Sequence, residues 1–152
     1  KCIAALCKRE EEIYISSGLP PASIMDDLPE NVHISSFVNQ VEILKKSKLF
    51  ISMGGYTGIT EALSLGVPVI VLPRNDDHFL VAQSIQNGSL GNCLDHMTFT
   101  AEQLAEIIED TLNNPQIKKS VEESKKGFCQ YPPDSAYREV CSFLNELGIT
   151  VS

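Results

Sequence analysis

The residues best suited to chemistry lie close together in the first half of the chain. Gly54 and Gly55, followed by Gly58, come, with two residues between, after an apolar run, Leu49-Phe50-Ile51, that has the length and composition of a buried strand. Glycines at such a point let the backbone turn sharply and let a ligand approach bare N–H groups. Thr57 has the chemistry of an N-cap for a helix that would bury Ile59, Ala62, Leu63 and Leu65. The first N–H groups of a helix carry the positive end of its dipole, so the chemistry favoured is anion binding, and a diphosphate fits it. Glu61, near one turn into the same helix, has the wrong sign for a phosphate and the right one for accepting hydrogen bonds from a ribose diol. Spacing leaves a plainer alternative open, a tight turn followed by a solvated glutamate.

Two more groups flank this turn. Phe37 and Gln40 follow a short strand, Val32 to Ser35, where ligands of open parallel sheets bind. Phe37 could cover a flat base or belong to the core, and Gln40 could bond a nucleoside or open a helix from Val41 to Lys46. On the other side, Arg74 precedes Asp77 and His78, with Asp77 expected as the N-cap of a helix running through Gln86 to a stop at Asn87-Gly88. An Asp fixed by capping can also receive bonds from sugar hydroxyls, and His78 adds a donor. Arg74 is read as a solvated surface side chain within reach of a diphosphate.

The elements that must position these groups follow from pattern. Gly66 ends the helix after the glycine turn, and Val67 to Pro73 is a second buried strand, so Leu49 to Pro73 forms a strand, turn, helix, strand unit, which implies a parallel sheet. Ile13 to Ser16 is a further strand, and Cys93-Leu94 the last. Ile3, Leu6 and Cys7 have helical spacing. Leu19 to Glu30 reads as a surface loop, with Asp26 and Asp27 as solvated turn residues. Thr100-Ala-Glu-Gln103 is a capping box opening a helix with Leu104, Ile107, Ile108 and Leu112 on its apolar face. Pro115 opens another helix, and Ala136, Val140, Phe143, Leu144 and Leu147 line a final one. The fold class expected is α/β, a three-layer, doubly wound parallel sheet of Rossmann-like type.

Taken in order, these segments resemble the donor-binding, C-terminal domain of the UDP-glycosyltransferases, a family of GT-B fold. Phe37-Val38-Asn39-Gln40 is similar to the family's aromatic-x-x-Gln segment, Gly54-Gly55 with Glu61 to its His-Gly-Gly and following Glu, Gly66-Val67-Pro68 to its Gly-x-Pro strand, and Asp77-His78 to its Asp-Gln pair. The resemblance spans 31–95 and implies a UDP-sugar site. It places Phe37, Val38, Gln40, Met53, Gly54, Gly55, Thr57, Gly58, Glu61, Asp77 and His78 in that site, with Phe37, Gln40 and Glu61 toward the nucleoside, the backbone near Gly54, Gly55 and Gly58 toward the diphosphate, and Asp77 and His78 toward the sugar. Met53 stands where the family has the diphosphate-contacting histidine, and His78 where it has a glutamine.

Composition bounds the rest. The 152 residues carry a formal net charge of −8 and suffice for one well-buried domain. Basic residues gather in no cluster larger than a pair such as Lys45-Lys46 or Lys118-Lys119, which argues against nucleic acid or an anionic membrane surface as partner. Five scattered cysteines without close-paired zinc spacing read as reduced thiols in a cytoplasmic setting. No apolar segment exceeds strand length, so membrane contact would be indirect. No metal or other cofactor is expected beyond the UDP-sugar donor. The chain opens inside or just before a helix, and the expectation is that a first strand and an acceptor-binding domain with the catalytic base lie upstream or on a partner chain. His33, His78 and His96 are not expected to act as that base, so no catalytic residue is assigned. Three other readings are open: the donor subunit of a two-chain N-acetylglucosaminyltransferase, a non-catalytic interaction domain, and a nucleotide-sugar epimerase of related fold.

Overall fold

The computed structural model describes residues 2–17 and 28–130. Five strands and six helices follow one another in the order α1 (Cys2–Leu6), β1 (Ile13–Ser16), β2 (Val32–Ser35), α2 (Gln40–Leu44), β3 (Phe50–Ser52), α3 (Tyr56–Leu65), β4 (Val69–Val71), α4 (Asp76–Asn87), β5 (Gly91–Cys93), α5 (Ala101–Asn113) and α6 (Pro115–Gln130). All described strand pairings are parallel. β1 pairs with β2, and β3, β4 and β5 form a second sheet in that order, in register Phe50↔Val69 and Val69↔Gly91.

β4 shows why the domain has three layers. Its side chains alternate across the sheet, and every one is fully buried. Val69 and Val71 face a cluster made by Leu44 of α2, Ile59, Ala62 and Leu63 of α3, Ala82 and Ile85 of α4, and Ile117 and Val121 of α6. Ile70 and the following Leu72 face the opposite way, into Ala5 of α1 and Phe99, Leu104 and Ile108 near and on α5. Helices therefore cover both faces of the β3-β4-β5 sheet, the doubly wound arrangement the alternating pattern implies. Burying each large aliphatic side chain contributes about 1.5–3 kcal/mol.

The capping box holds as expected, with the Thr100 hydroxyl accepting from Gln103 N–H and the Gln103 side chain accepting from Thr100 N–H. Pro115 is the first residue of α6, and Gly66 ends α3 at φ 81°. Several boundaries move. β5 is Gly91–Cys93 rather than Cys93-Leu94, since Gly-Asn has little strand preference of its own and pairing with β4 imposes the extended form. α2 starts at Gln40, a residue earlier than expected, because the Asn39 side chain accepts from Glu42 N–H and caps it. α4 starts at Asp76, for a reason given below. Asp26, Asp27 and the expected helix of Ala136, Val140, Phe143, Leu144 and Leu147 lie outside the described residues.

Candidate functional site

The glycine turn sits between β3 and α3 and is compressed from two sides. Gly54 has φ 103°, and a Cβ placed on it would come 3.0 Å from Val71 Cγ1 and 3.2 Å from the Cβ of His78. A side chain is thus excluded by backbone conformation and by space at once. The absent Cβ lets the first turn of α4 close onto the turn, which brings His78 beside Gly54. Ser52 steadies the same turn, its hydroxyl accepting from Gly54 N–H at 3.2 Å.

This tight turn starts α3 sooner than the sequence suggests. Gly55, not Thr57, is the N-cap, and no side chain caps the helix. Thr57 is an exposed residue of the first turn. A glycine cap satisfies none of the first N–H groups, so those of Tyr56, Thr57 and Gly58 remain directed at the space over the turn. α2, α4 and α5 are instead closed by Asn39, Asn75 and Thr100. For α4 the expectation of Asp77 as cap is corrected. Asn75, extended at φ −144°, accepts from His78 N–H at 2.9 Å. Asp76 and Asp77 then fall in the exposed first turn, where their charge suits the helix dipole. Asp77 is left free for another partner, the role the resemblance gives it.

One turn along α3 the second half of the site is built. The Gln40 side-chain amide donates to Glu61 Oε2 at 2.7 Å in a half-buried setting. Gly58 makes this possible, because a Cβ there would meet Gln40 Nε2 at 3.3 Å and the Phe50 ring at 3.4 Å. Among the described residues one carboxylate oxygen is engaged and the other is not, so Glu61 is oriented while keeping acceptor capacity. Phe37 is 81% exposed, which removes the core alternative for it, and Val38 beside it is half-buried. The Ser35 hydroxyl accepts from Phe37 N–H and donates to Phe37 C=O, fixing the backbone beneath the ring.

Met53 is half exposed and its sulfur accepts from Arg74 Nη1 at 3.6 Å. The structure therefore brings Met53, Gly54, Arg74 and His78 together, and Gln40, Gly58 and Glu61 together, with α3 joining the two groups. Reading the sequence alone missed Asn75 as a cap and Arg74 as a neighbour of Met53. For Asn75 the signal was present in an Asn set ahead of two acidic residues. His78 Nδ1 is buried with no hydrogen-bond partner among the described residues. The remaining histidines lie apart from these groups: His33 stacks on Tyr14, with centroids 4.8 Å apart, and bonds Glu12 at 2.6 Å, and His96 follows β5.

Comparison with known proteins identifies the family and the fold. The family described as erythromycin biosynthesis protein CIII-like, C-terminal domain, matches residues 1–146. The chain belongs to that family. Among relatives of the family, the NDP-glycosyltransferase YjiC of Bacillus licheniformis is 32% identical over 151 residues, covering 97% of this chain and 38% of its own length. The calicheamicin glycosyltransferase CalG4 superposes with a TM-score of 0.88 at 19% identity over 96% of this chain and 39% of its own, and the spinosyn rhamnosyltransferase SpnG with 0.78 at 26% over 91% and 38%. The chain spans 31% to 38% of the first curated relatives it matches. The resemblance to the UDP-glycosyltransferases and the GT-B type of α/β fold are thereby borne out, and the chain corresponds to a C-terminal part of such enzymes. Among the described residues no helix is long and apolar enough to cross a membrane.

Proposed function

We propose that this domain binds a UDP-sugar over the C-terminal ends of β3 and β4 and presents the sugar for transfer to an acceptor held elsewhere. One observation carries the reading: α3 bears an uncapped, glycine-led N-terminus and, five residues along from Tyr56, the oriented carboxylate of Glu61. Five residues of helix rise about 7 Å, the scale that separates a diphosphate from the hydroxyls of its ribose. Backbone N–H groups take the phosphates, Glu61 takes the diol, Phe37 offers a face to the base, and Asp77 and His78 border the space where a sugar would extend. Donor binding in this form calls for no metal ion. The free thiols of Cys2, Cys7, Cys93 and Cys129 support a cytoplasmic setting.

The acceptor and its base belong to a further domain, with a first strand before α1 completing the sheet. The described strands form two separate parallel sheets, which leaves open edges for such a strand to join. The relatives carry more than half of their length outside the matched part, which favours an acceptor domain on the same polypeptide over a two-chain enzyme. Calorimetry on the chain tests the reading. UDP should bind more tightly than ADP, since Phe37, Gln40 and Glu61 address the nucleoside, and no sugar should be transferred to small acceptors without the acceptor domain. Equal affinity for UDP and ADP would overturn the nucleoside assignment.

A further inference from the structure

The guanidinium of Arg74 is held without being neutralised. Among the described residues its hydrogen bond is to the Met53 thioether, and it takes part in no ion pair. A thioether is a weak acceptor that removes none of the charge, so the contact orients the side chain and leaves the remaining N–H donors of its fork unspent. Asp76 and Asp77 lie two and three residues further on, yet both stay exposed in the first turn of α4 rather than pairing with it.

Where the fork is held matters more. β3 and β4 run parallel with Ser52 opposite Val71, and Leu72 N–H donates to Ser52 C=O at 2.8 Å, so the chain leaves both strands at the same level. Met53 is the residue immediately before Gly54, and the uncapped first turn of α3 begins two residues after that. The contact with Met53 thus fastens a full positive charge beside a set of unsatisfied backbone N–H groups. We infer that Arg74 is a phosphate-binding residue of this domain, its guanidinium gripping the diphosphate of the nucleotide from the β4 side while the α3 amides grip it from the other; this rests on the donor-site reading above. Met53 acts as the prop that aims the fork. A planar guanidinium can make two parallel bonds to one phosphate, which an ammonium cannot.

The test is calorimetric titration of the chain, wild type and Arg74→Ala, with UDP and with uridine, at low and at raised salt. Arg74→Ala should weaken UDP roughly 10-fold or more, the loss of a charge-assisted contact, and leave uridine within about twofold. Arg74→Lys should recover only part of the loss, because the charge returns without the fork. Wild-type affinity for UDP should fall with salt more steeply than that of Arg74→Ala. Unchanged UDP affinity in Arg74→Ala, with binding by the wild type intact, would overturn the role of Arg74 and leave the donor site standing. Equal losses for UDP and uridine would likewise overturn it, as would a change in the thermal unfolding midpoint large enough to account for the loss. Failure of the wild type to bind UDP would overturn the donor-site reading, and the inference with it.

Discussion

Replacing Glu61 with alanine tests the nucleoside half of the site most directly. The carboxylate accepts from Gln40 Nε2 at 2.7 Å through Oε2 and is half-buried, so it is oriented before any ligand arrives. A hydrogen bond from a ribose hydroxyl to a charged acceptor is worth about 1.5–3 kcal/mol. With one oxygen already engaged, a single such bond sets the scale, and competition from water widens the range downward. Glu61→Ala should therefore weaken UDP by about 1–3 kcal/mol, roughly 5- to 150-fold. Gln40→Ala leaves the carboxylate in place but unaimed, and should cost about 0.5–1.5 kcal/mol. Because the two side chains touch, the double variant should lose less than the sum of the single losses. Isothermal calorimetry with UDP and 2′-deoxy-UDP separates this from a general loosening of the fold. The wild type should prefer UDP, and Glu61→Ala should bind both alike. A loss of equal size for both ligands, with the preference for the 2′-hydroxyl retained, would refute the assignment of Glu61 to the ribose.

Gly54→Ala should lower stability by about 2 kcal/mol, from a left-handed φ of 103° and a Cβ forced against Val71 and His78, measured as a drop in the urea midpoint; an unchanged midpoint would contradict the crowding. Cys93 should resist alkylation, since burial pushes its thiol up to about 11 against the lowering effect of a backbone hydrogen bond with Val71, leaving a thiolate fraction on the order of 0.1% at pH 8. Peptide mapping after iodoacetamide should find the exposed Cys129 modified first, and early labelling at Cys93 would count against its burial. Glu11 is held below its ordinary pKa of 4.5 chiefly by its hydrogen bonds from Arg9, so its contribution to stability is present above that value and fades as pH falls through the lower folded pKa. Glu11→Gln should accordingly unfold more easily than wild type at pH 7, with the difference shrinking as pH falls below 4.5, and a difference of constant size across that range would rule out the charge as its source.

The parts of the fold visible in the sequence are those written in local chemistry. A glycine pair after an apolar run, a Thr-x-x-Gln box and a proline after Asn114 each act over a few residues, and each appears where expected. What local chemistry left undecided was which of several capable residues would be used. Thr57 and Asp77 are both good caps, but the close fit of Gly54 against Val71 and His78 draws the chain into α3 early, and Asn75 caps α4 through His78 N–H two residues before Asp77. Capping identity here is settled by tertiary contact, which residue preference does not encode. The interactions that aim the site were less visible still. Gln40 with Glu61 and Met53 with Arg74 are each 21 residues apart, and no short pattern connects them.

The separation of Met53 from Arg74 has a structural origin. In a parallel sheet every strand ends at the same edge, so residues just past successive strands become neighbours after one full crossover. The length of the crossover fixes the separation. Gln40 lies past β2 and bonds a residue of the helix that follows β3; Met53 lies past β3 and touches a residue just past β4. Met53 and Arg74 follow paired strands of one sheet, whereas Gln40 and Glu61 link the end of β2 to the helix after β3, and α3 lies between the members of one pair and carries a member of the other. Its N-terminus faces the Met53 and Arg74 side, and its second turn carries Glu61 on the Gln40 side. A ligand that used both would have to place an anion and a hydroxyl-bearing ring along one helix axis, the anion toward β4 and the ring toward β2. A nucleoside diphosphate has its groups in that order, and its distal phosphate would then leave any attached sugar on the side of α4, beside Asp77 and His78.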